Sequence, residues 1–265
     1  MGRQIGLIKV SGNIGGISFY KSNGENLARS ANGPSKDKIQ NDPNFIRTRE
    51  NNSEFGGSAT VAKSLRLAFA SDVSKMADNK LVSRLTAFFK DLCNKGTGIR
   101  GQRSIGLSAH KASLENLEFN KKLSFASVFN PPFTITTNAA RTQADIVTGP
   151  FSPQTFINAP AGATHFKVGM TLSVISDFLF STATSKYEAT DSNSVKLTKA
   201  DAGIMMPLFS TTPATITLST LLPGTPVLTA TQSVVLALGI DFYQRIGTVD
   251  YILAQGNAMK IVKVF

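Results

Sequence analysis

The sequence holds one cysteine and two histidines, and each scarcity removes a class of chemistry. Cys93 alone cannot close an intrachain disulfide, and its neighbours Leu92 and Phe89 mark it as a buried apolar residue rather than a reactive thiol. One thiol with His110 and His165, neither of which has a cysteine, histidine or carboxylate at ligand spacing, cannot complete a zinc site. His165 falls on the polar side of a strand pattern, so it is expected in solvent. Long apolar runs are also missing: no window approaches the roughly 18 residues needed to span a bilayer. The leading MGRQIGLIKVSGNIGG is too short in its apolar part, and too interrupted by Lys9 and glycines, to read as a secretory signal. The expectation is a cytoplasmic site of synthesis, with a place in a released particle or extracellular assembly left open.

Catalytic signatures are equally sparse. Gly96-Thr97-Gly98-Ile99-Arg100-Gly101 spells G-x-G-x-x-G, but a dinucleotide site needs a strand before it and a helix after it, and here a helical pattern precedes and a polar loop follows. Gly12-Asn13-Ile14-Gly15-Gly16 lacks the Gly-Lys-Ser/Thr ending of a phosphate-binding loop and reads as a turn. No G-x-S-x-G elbow occurs. No enzyme activity, cofactor, metal or small-molecule substrate is expected.

What is present is a charge asymmetry. The formal net charge is +11, and residues 1–122 carry 20 Lys/Arg against 10 Asp/Glu while 123–265 carry 8 against 7. A surplus confined to one end suits a partner of opposite sign: nucleic acid, an anionic lipid surface, or an acidic patch on another copy of the chain. It is also what a solubilising surface looks like, since no run of basic residues longer than the pair Lys121-Lys122 occurs.

The pattern along the chain is that of an α+β protein: an N-terminal β-meander and an αα-hairpin in a basic region over 1–122, then an all-β sandwich over 123–265, of jelly-roll or immunoglobulin-like order. The meander spans 5–29, with strands at 5–10, 17–20 and 27–29 and a tight turn at Asn23-Gly24. Residues 30–41 read as a linker. A helix over 43–70 starts at Asn41 or Asp42 with Pro43 in its first turn, and shows a stripe of Phe45, Thr48, Asn52, Phe55, Ala59, Ala62 and Phe69. Gly56, Gly57, Ser58 and Ala59 thin it where another element packs close. After a polar connection over 72–79, a second helix over 80–94 turns Leu81, Val82, Leu85, Phe88, Phe89 and Leu92 inward. A basic loop follows at 95–111. The clearest strand is Thr164–Ile175, where Phe166, Val168, Met170, Leu172 and Val174 alternate with smaller or polar residues. Further strands are expected at 123–129, 133–137, 178–187, 194–198, 215–220, 233–245, 250–253 and 259–264.

At IGGISFYKSNG (14–24), NDPNFIRTREN (41–51) and SEFG (53–56) the chain resembles a family of uncharacterised bacterial proteins with I-G-G-x-x-F-Y-K and N-D-P-x-F-x-R-T-R-E-N-x-x-E-F-G motifs. Its ending GIDFYQRIGTVDYIL (239–253) is similar to that family's C-terminal hairpin. The resemblance implies a shared fold and no particular activity.

The function expected is therefore that of a self-assembling structural protein, a subunit of a homopolymeric tube, filament or capsid-like shell. The alternative is a nucleic-acid-binding protein that uses the basic half. In either case the residues expected to meet a neighbour or an anionic partner are Lys9, Phe19, Tyr20, Lys21, Arg29, Arg47, Arg49, Arg100 and Arg103. The aromatics serve equally as the meander's own core, and Arg47 and Arg49 as partners of Glu50 and Glu54.

Overall fold

The computed structural model describes residues 2–31 and 33–265, in two compact units, Met1–Glu50 and Asn51–Phe265. The first unit is a four-stranded antiparallel sheet in the order β1 (Gly2–Arg3), β4 (Glu25–Ser30), β3 (Ile17–Ser22), β2 (Gly12–Ile14). Asn23 and Gly24 close the β3–β4 hairpin at φ +52° and +83°, the left-handed pair that matches strand twist. The strand expected over 5–10 does not form. The Gln4 side chain pairs with both backbone groups of Val10, accepting from its N–H at 2.8 Å and donating to its carbonyl at 3.2 Å, so the chain between them loops out.

The expected linker over 30–41 is in part helical. Ser35 caps α1 (Lys36–Asn41) by accepting from the Lys38 N–H, while Asn32, within the same stretch, lies outside the described residues. Asp42 then caps a single 3₁₀ turn, Pro43–Phe45, that leads into α2 (Ile46–Ala68).

The second unit is α+β and is built on one strand pair. β7 (His165–Ser176) and β13 (Gln232–Ile246) run antiparallel from Gln232 opposite Ser176 to Tyr243 opposite His165. β10 (Thr198–Asp201) and β11 (Met205–Pro207) pair with the outer side of β7, and β14 (Val249–Ile252) and β15 (Ala258–Val264) follow one another along the outer side of β13. A second sheet, β12 (Thr217–Leu221), β6 (Gln143–Thr148), β5 (Phe133–Thr137), packs on one face. Phe166, Val168, Met170 and Leu172 of β7 and Leu236, Leu238 and Ile240 of β13 meet Ile146 and Leu218 there, which makes a β-sandwich.

The opposite face is covered by helices. Val61, Ala62 and Leu65 of α2, Met76 of α3 (Ala70–Met76) and Leu81, Leu85, Phe89 and Leu92 of α4 (Leu81–Lys95) share a core with Ile175, Val235, Ala237 and Ile261. Residues 51–119 and the central sheet thus belong to one unit, although composition changes at 122/123. Three short helices, α5 (Lys111–Leu114), α6 (Phe125–Val128) and α7 (Pro153–Phe156), and the hairpin β8 (Phe178–Ser181) with β9 (Lys186–Ala189) complete it. No helix among the described residues is long and apolar enough to cross a membrane.

Several expectations are corrected. The inward stripe of α2 is Glu54, Gly57, Ser58, Val61, Ala62, Leu65 and Ala68, and Phe55 is exposed. The aromatic residues suggested the wrong phase because the true inward face is made of small residues and one carboxylate. The connection over 72–79 holds most of α3, which begins where α2 ends at Phe69. Residues 125–128 are helix, not strand, since Ser124 caps them by accepting from Ser127 N–H. The stretch 178–187 turns back at Ser185 (φ +53°) into β8 and β9, and 194–198 is mostly a 3₁₀ turn, Ser194–Lys196. β6 and β11 were not foreseen.

Gly57 explains why α2 tolerates glycine. A Cβ built there would lie 2.3 Å from Cδ2 of Tyr187, whereas Gly56 faces open space. Gly57→Ala is expected to destabilise by about 1–3 kcal/mol through overpacking, and Gly56→Ala to stabilise by up to about 1 kcal/mol through helix propensity. Chemical denaturation of the two variants checks this, and changes of the same sign would refute the close approach.

Candidate functional site

The predicted contact residues separate into three places. In the first unit, register sorts the ribbon. Asn13, Ser18, Tyr20, Leu27 and Arg29 share one face, and Ile14, Ile17, Phe19 and Lys21 the other. Arg29 sits over the Tyr20 ring, its guanidinium carbon 5.4 Å from the centroid. Phe19 and Lys21 therefore do not join them. Lys9 folds back so that its ammonium donates to the Gln4 carbonyl.

Apolar exposure in this unit is high. None of the described residues between 2 and 50 is buried, and Ile5, Leu7 and Ile8 are 92%, 104% and 85% exposed. Phe19 and Tyr20 are only half-buried, so the ribbon's aromatic residues do not form a closed core.

Around the start of α2, Arg47 pairs with Glu50 at 2.9 Å, as i,i+3 spacing allows. Arg49 is spent differently: it donates to the carbonyls of Ile39 and Asp42, both at 2.9 Å, and so ties the end of α1 to the entry of α2. These are the last carbonyls of a helix, which a cation satisfies well.

The third place is the basic loop. Arg100 is exposed, but Arg103 is turned inward onto Glu54. Its guanidinium donates to both carboxylate oxygens at 2.7 Å, while Lys90 donates at 2.9 Å and the Gly101 N–H at 2.8 Å. Glu54 is 1% exposed. Burial alone would raise its pKa, but the hydrogen bonds from Arg103, Lys90 and Gly101 outweigh it and hold the carboxyl at about 2. Arg103 is thus an internal clamp joining the 96–104 loop to α2 and α4, and not a surface for an anionic partner. Glu54 entered the sequence reading only as a possible partner for nearby arginines. Its place on the 54, 57, 58, 61, 65 stripe was the signal that could have found it. Beside it Cys93 is fully buried, and burial pushes its thiol up, as expected of an unreactive cysteine.

Among the hollows of the second unit, one on the helix side of the central sheet, of about 180 Å³, gathers carboxylates: it is lined by Asp72 and Lys75 of α3, Lys167 and Thr171 of β7, Asp201, and Asp241 and Tyr243 of β13. Asp72 accepts from the Thr171 hydroxyl at 2.9 Å, and Asp241 Oδ1 is buried without a hydrogen-bond partner. Burial pushes both carboxyls up, and Asp72 adds to the rise at Asp241 while Lys75 and Lys167 oppose it. No group of three or more metal-ligating side chains occurs among the described residues. His165 is half-buried, its Nδ1 2.9 Å from the Thr164 hydroxyl, which corrects its expected exposure.

The chain matches no protein-family model and no curated protein. The likeness at 14–24, 41–56 and 239–253 accordingly remains one of motifs.

Two predictions follow from these carboxylates. Glu54→Gln leaves Arg103 and Lys90 facing each other across a lost charge. It is expected to cost about 2–3 kcal/mol, less than a fully buried pair because both cations keep some solvent. As a depressed carboxyl, Glu54 contributes stability above its unfolded pKa that is lost as pH falls towards 2, so the wild-type advantage over the variant should shrink in acid. Asp241 has the opposite sign. Its folded pKa is raised, so it lowers stability as pH climbs past the ordinary carboxylate range, and Asp241→Asn should raise the melting temperature by a few degrees at pH 7 and hardly at all at pH 3.

Proposed function

We propose that the protein is a self-assembling structural subunit whose first unit fastens one copy to the next while the sandwich and its helical cover form the wall. The observation that carries this reading is a folded 50-residue unit in which none of the described residues is buried. Four short strands with an unburied apolar set are marginal on their own and need a covering surface. Ile5, Leu7, Ile8, Val10, Ile14 and Ile17, all exposed, are the set to be covered. The second unit contains its own two cores and does not need such help. Removal of this apolar surface from water, at about 25 cal/mol per Å², favours association without demanding a charged partner.

A second reading, single-stranded nucleic-acid binding by the ribbon, is favoured by one observation. Arg29 over Tyr20, with Asn13 and Ser18 on the same face, combines a stacking ring with phosphate-directed donors. Against it, Arg49 and Arg103 already hold backbone carbonyls and a carboxylate of this chain.

Sedimentation and negative-stain microscopy of the pure protein, over several salt concentrations, test the assembly. The expected outcome is a defined polymer that persists in salt, because its contacts are apolar. A monodisperse monomer at high protein concentration would remove the reading. Replacing Leu7 and Ile8 together by Asp should abolish assembly and leave the melting temperature unchanged, since both side chains lie in solvent. A mobility shift that disappears steeply with salt would favour the second reading instead.

A further inference from the structure

We propose that residues 5–10 of one copy add as a strand to the open edge of β14 in a second copy. This rests on the self-assembly reading and names its interface. On the receiving side, β14 pairs with β13 through one edge only, from Ile246 opposite Val249 to Tyr243 opposite Ile252. Its other edge has no backbone partner among the described residues. In an antiparallel pair alternate residues point N–H and C=O away from the partner, so this edge presents a short row of free donors and acceptors.

The edge is continuous with one that is already covered. β15 follows β14 along the same side of β13, and an extended segment of the chain lies against its outer side. Asn116 N–H donates to Ile261 O at 2.8 Å, Ile261 N–H to Leu117 O at 3.0 Å and Phe119 N–H to Met259 O at 2.9 Å. An incoming strand on β14 would extend that row by the same hydrogen bonds. Unlike β5, whose entry is guarded by Pro131-Pro132 and whose residues are largely threonine, β14 shows apolar residues: Val249, Tyr251 and Ile252 are about half exposed, and Ile246 beside them more so.

On the donating side, Ile5-Gly6-Leu7-Ile8-Lys9-Val10 has the composition of a strand and finds none in its own unit. The backbone N–H groups of residues 5–9 donate to no described residue. The ties across the loop are the two hydrogen bonds between the Gln4 side chain and the Val10 backbone and the one from the Lys9 ammonium to the Gln4 carbonyl; all three sit in solvent and exchange readily for ladder bonds or water. Side-chain order also agrees. With Lys9 set opposite Asp250, whose carboxylate is already paired with Arg245 of its own copy at 2.6 Å, Ile8 and Val10 fall over Tyr251 and Val249, on the face that also carries Ile246, so the apolar match and not a charge pair sets the register. Main-chain bonds supply affinity and this alternation supplies register, as in other strand additions.

The test is a disulfide between copies. Ile8→Cys and Tyr251→Cys are made as two separate proteins, each retaining the buried Cys93, and mixed under mild oxidation. The expected result is a mixed dimer formed several-fold faster than either homodimer, with wild type giving none. Both positions are exposed, and unchanged melting curves confirm folding. An assembled protein that gives no mixed dimer overturns strand addition and leaves self-assembly standing. Closure within a single chain carrying both cysteines, independent of concentration, overturns it by placing the segment on its own edge. A monomer by sedimentation overturns both.

Discussion

The second unit depends on a sheet that is apolar on both faces. β13 reads Ser233-Val-Val-Leu-Ala-Leu-Gly-Ile240 without a polar alternation, and every one of these residues is buried. Such a strand cannot lie at a surface. Leu236, Leu238 and Ile240 require the second sheet, and Val235 and Ala237 require the helices, so both covering layers follow from one strand. Close approach is then bought with small residues: Met76 packs against the site of Gly239, and Tyr187 against Gly57. Buried hydroxyls on the helix side find partners where they can, as Ser173 does with Thr198 at 2.7 Å.

Glu54 plays a complementary part at the helical layer. Loop 96–104 has little apolar content and is held mainly by polar ties: Gly101 N–H and Arg103 to Glu54, Thr97 N–H to Ser104 Oγ at 3.0 Å, and Ser53 to the Gly101 carbonyl at 2.7 Å. A carboxylate that accepts from two cations and a backbone N–H in a dry site is fully satisfied, and for that reason it tolerates burial that would otherwise neutralise it. The G-x-G-x-x-G spelling of this loop belongs to that arrangement, since its last glycine supplies the N–H that Glu54 receives.

What was legible in the sequence was whatever carried a local signal. β5, β7, β13, β14 and β15 declared themselves by alternation or by length, α4 by its stripe, and the Asn23-Gly24 turn and the Asp42-Pro43 start by backbone chemistry. The failures share a cause. The inward face of α2 is small and partly polar, so the larger Phe45 and Phe55 misdirected its phase. β6, QADIVT, is short and carries a carboxylate, and its identity comes from pairing with β5 and β12 rather than from its own residues. The arginines posed the same difficulty at the candidate surfaces. Charge can be counted from sequence, but whether a guanidinium faces outward depends on non-local partners, as Glu54 is for Arg103 across 49 residues.

The strand expected at residues 5–10 is a different kind of departure, because there the local signal is sound and the single chain leaves it unused. Ile, Leu, Ile and Val within six residues favour a half-buried extended strand, yet these side chains stand in water and the backbone makes no ladder. Natural sequences are for the most part locally consistent with their folds, so an unused signal points to a condition in which it is used. A solubilising arm would carry charge at these positions, and a nucleic-acid arm would carry more cations than Lys9. An apolar segment with one charge is suited to an edge that is itself apolar, and β14 of a second copy has that character: Val249, Tyr251 and Ile252 stand in solvent and its one carboxylate, Asp250, is already held by Arg245.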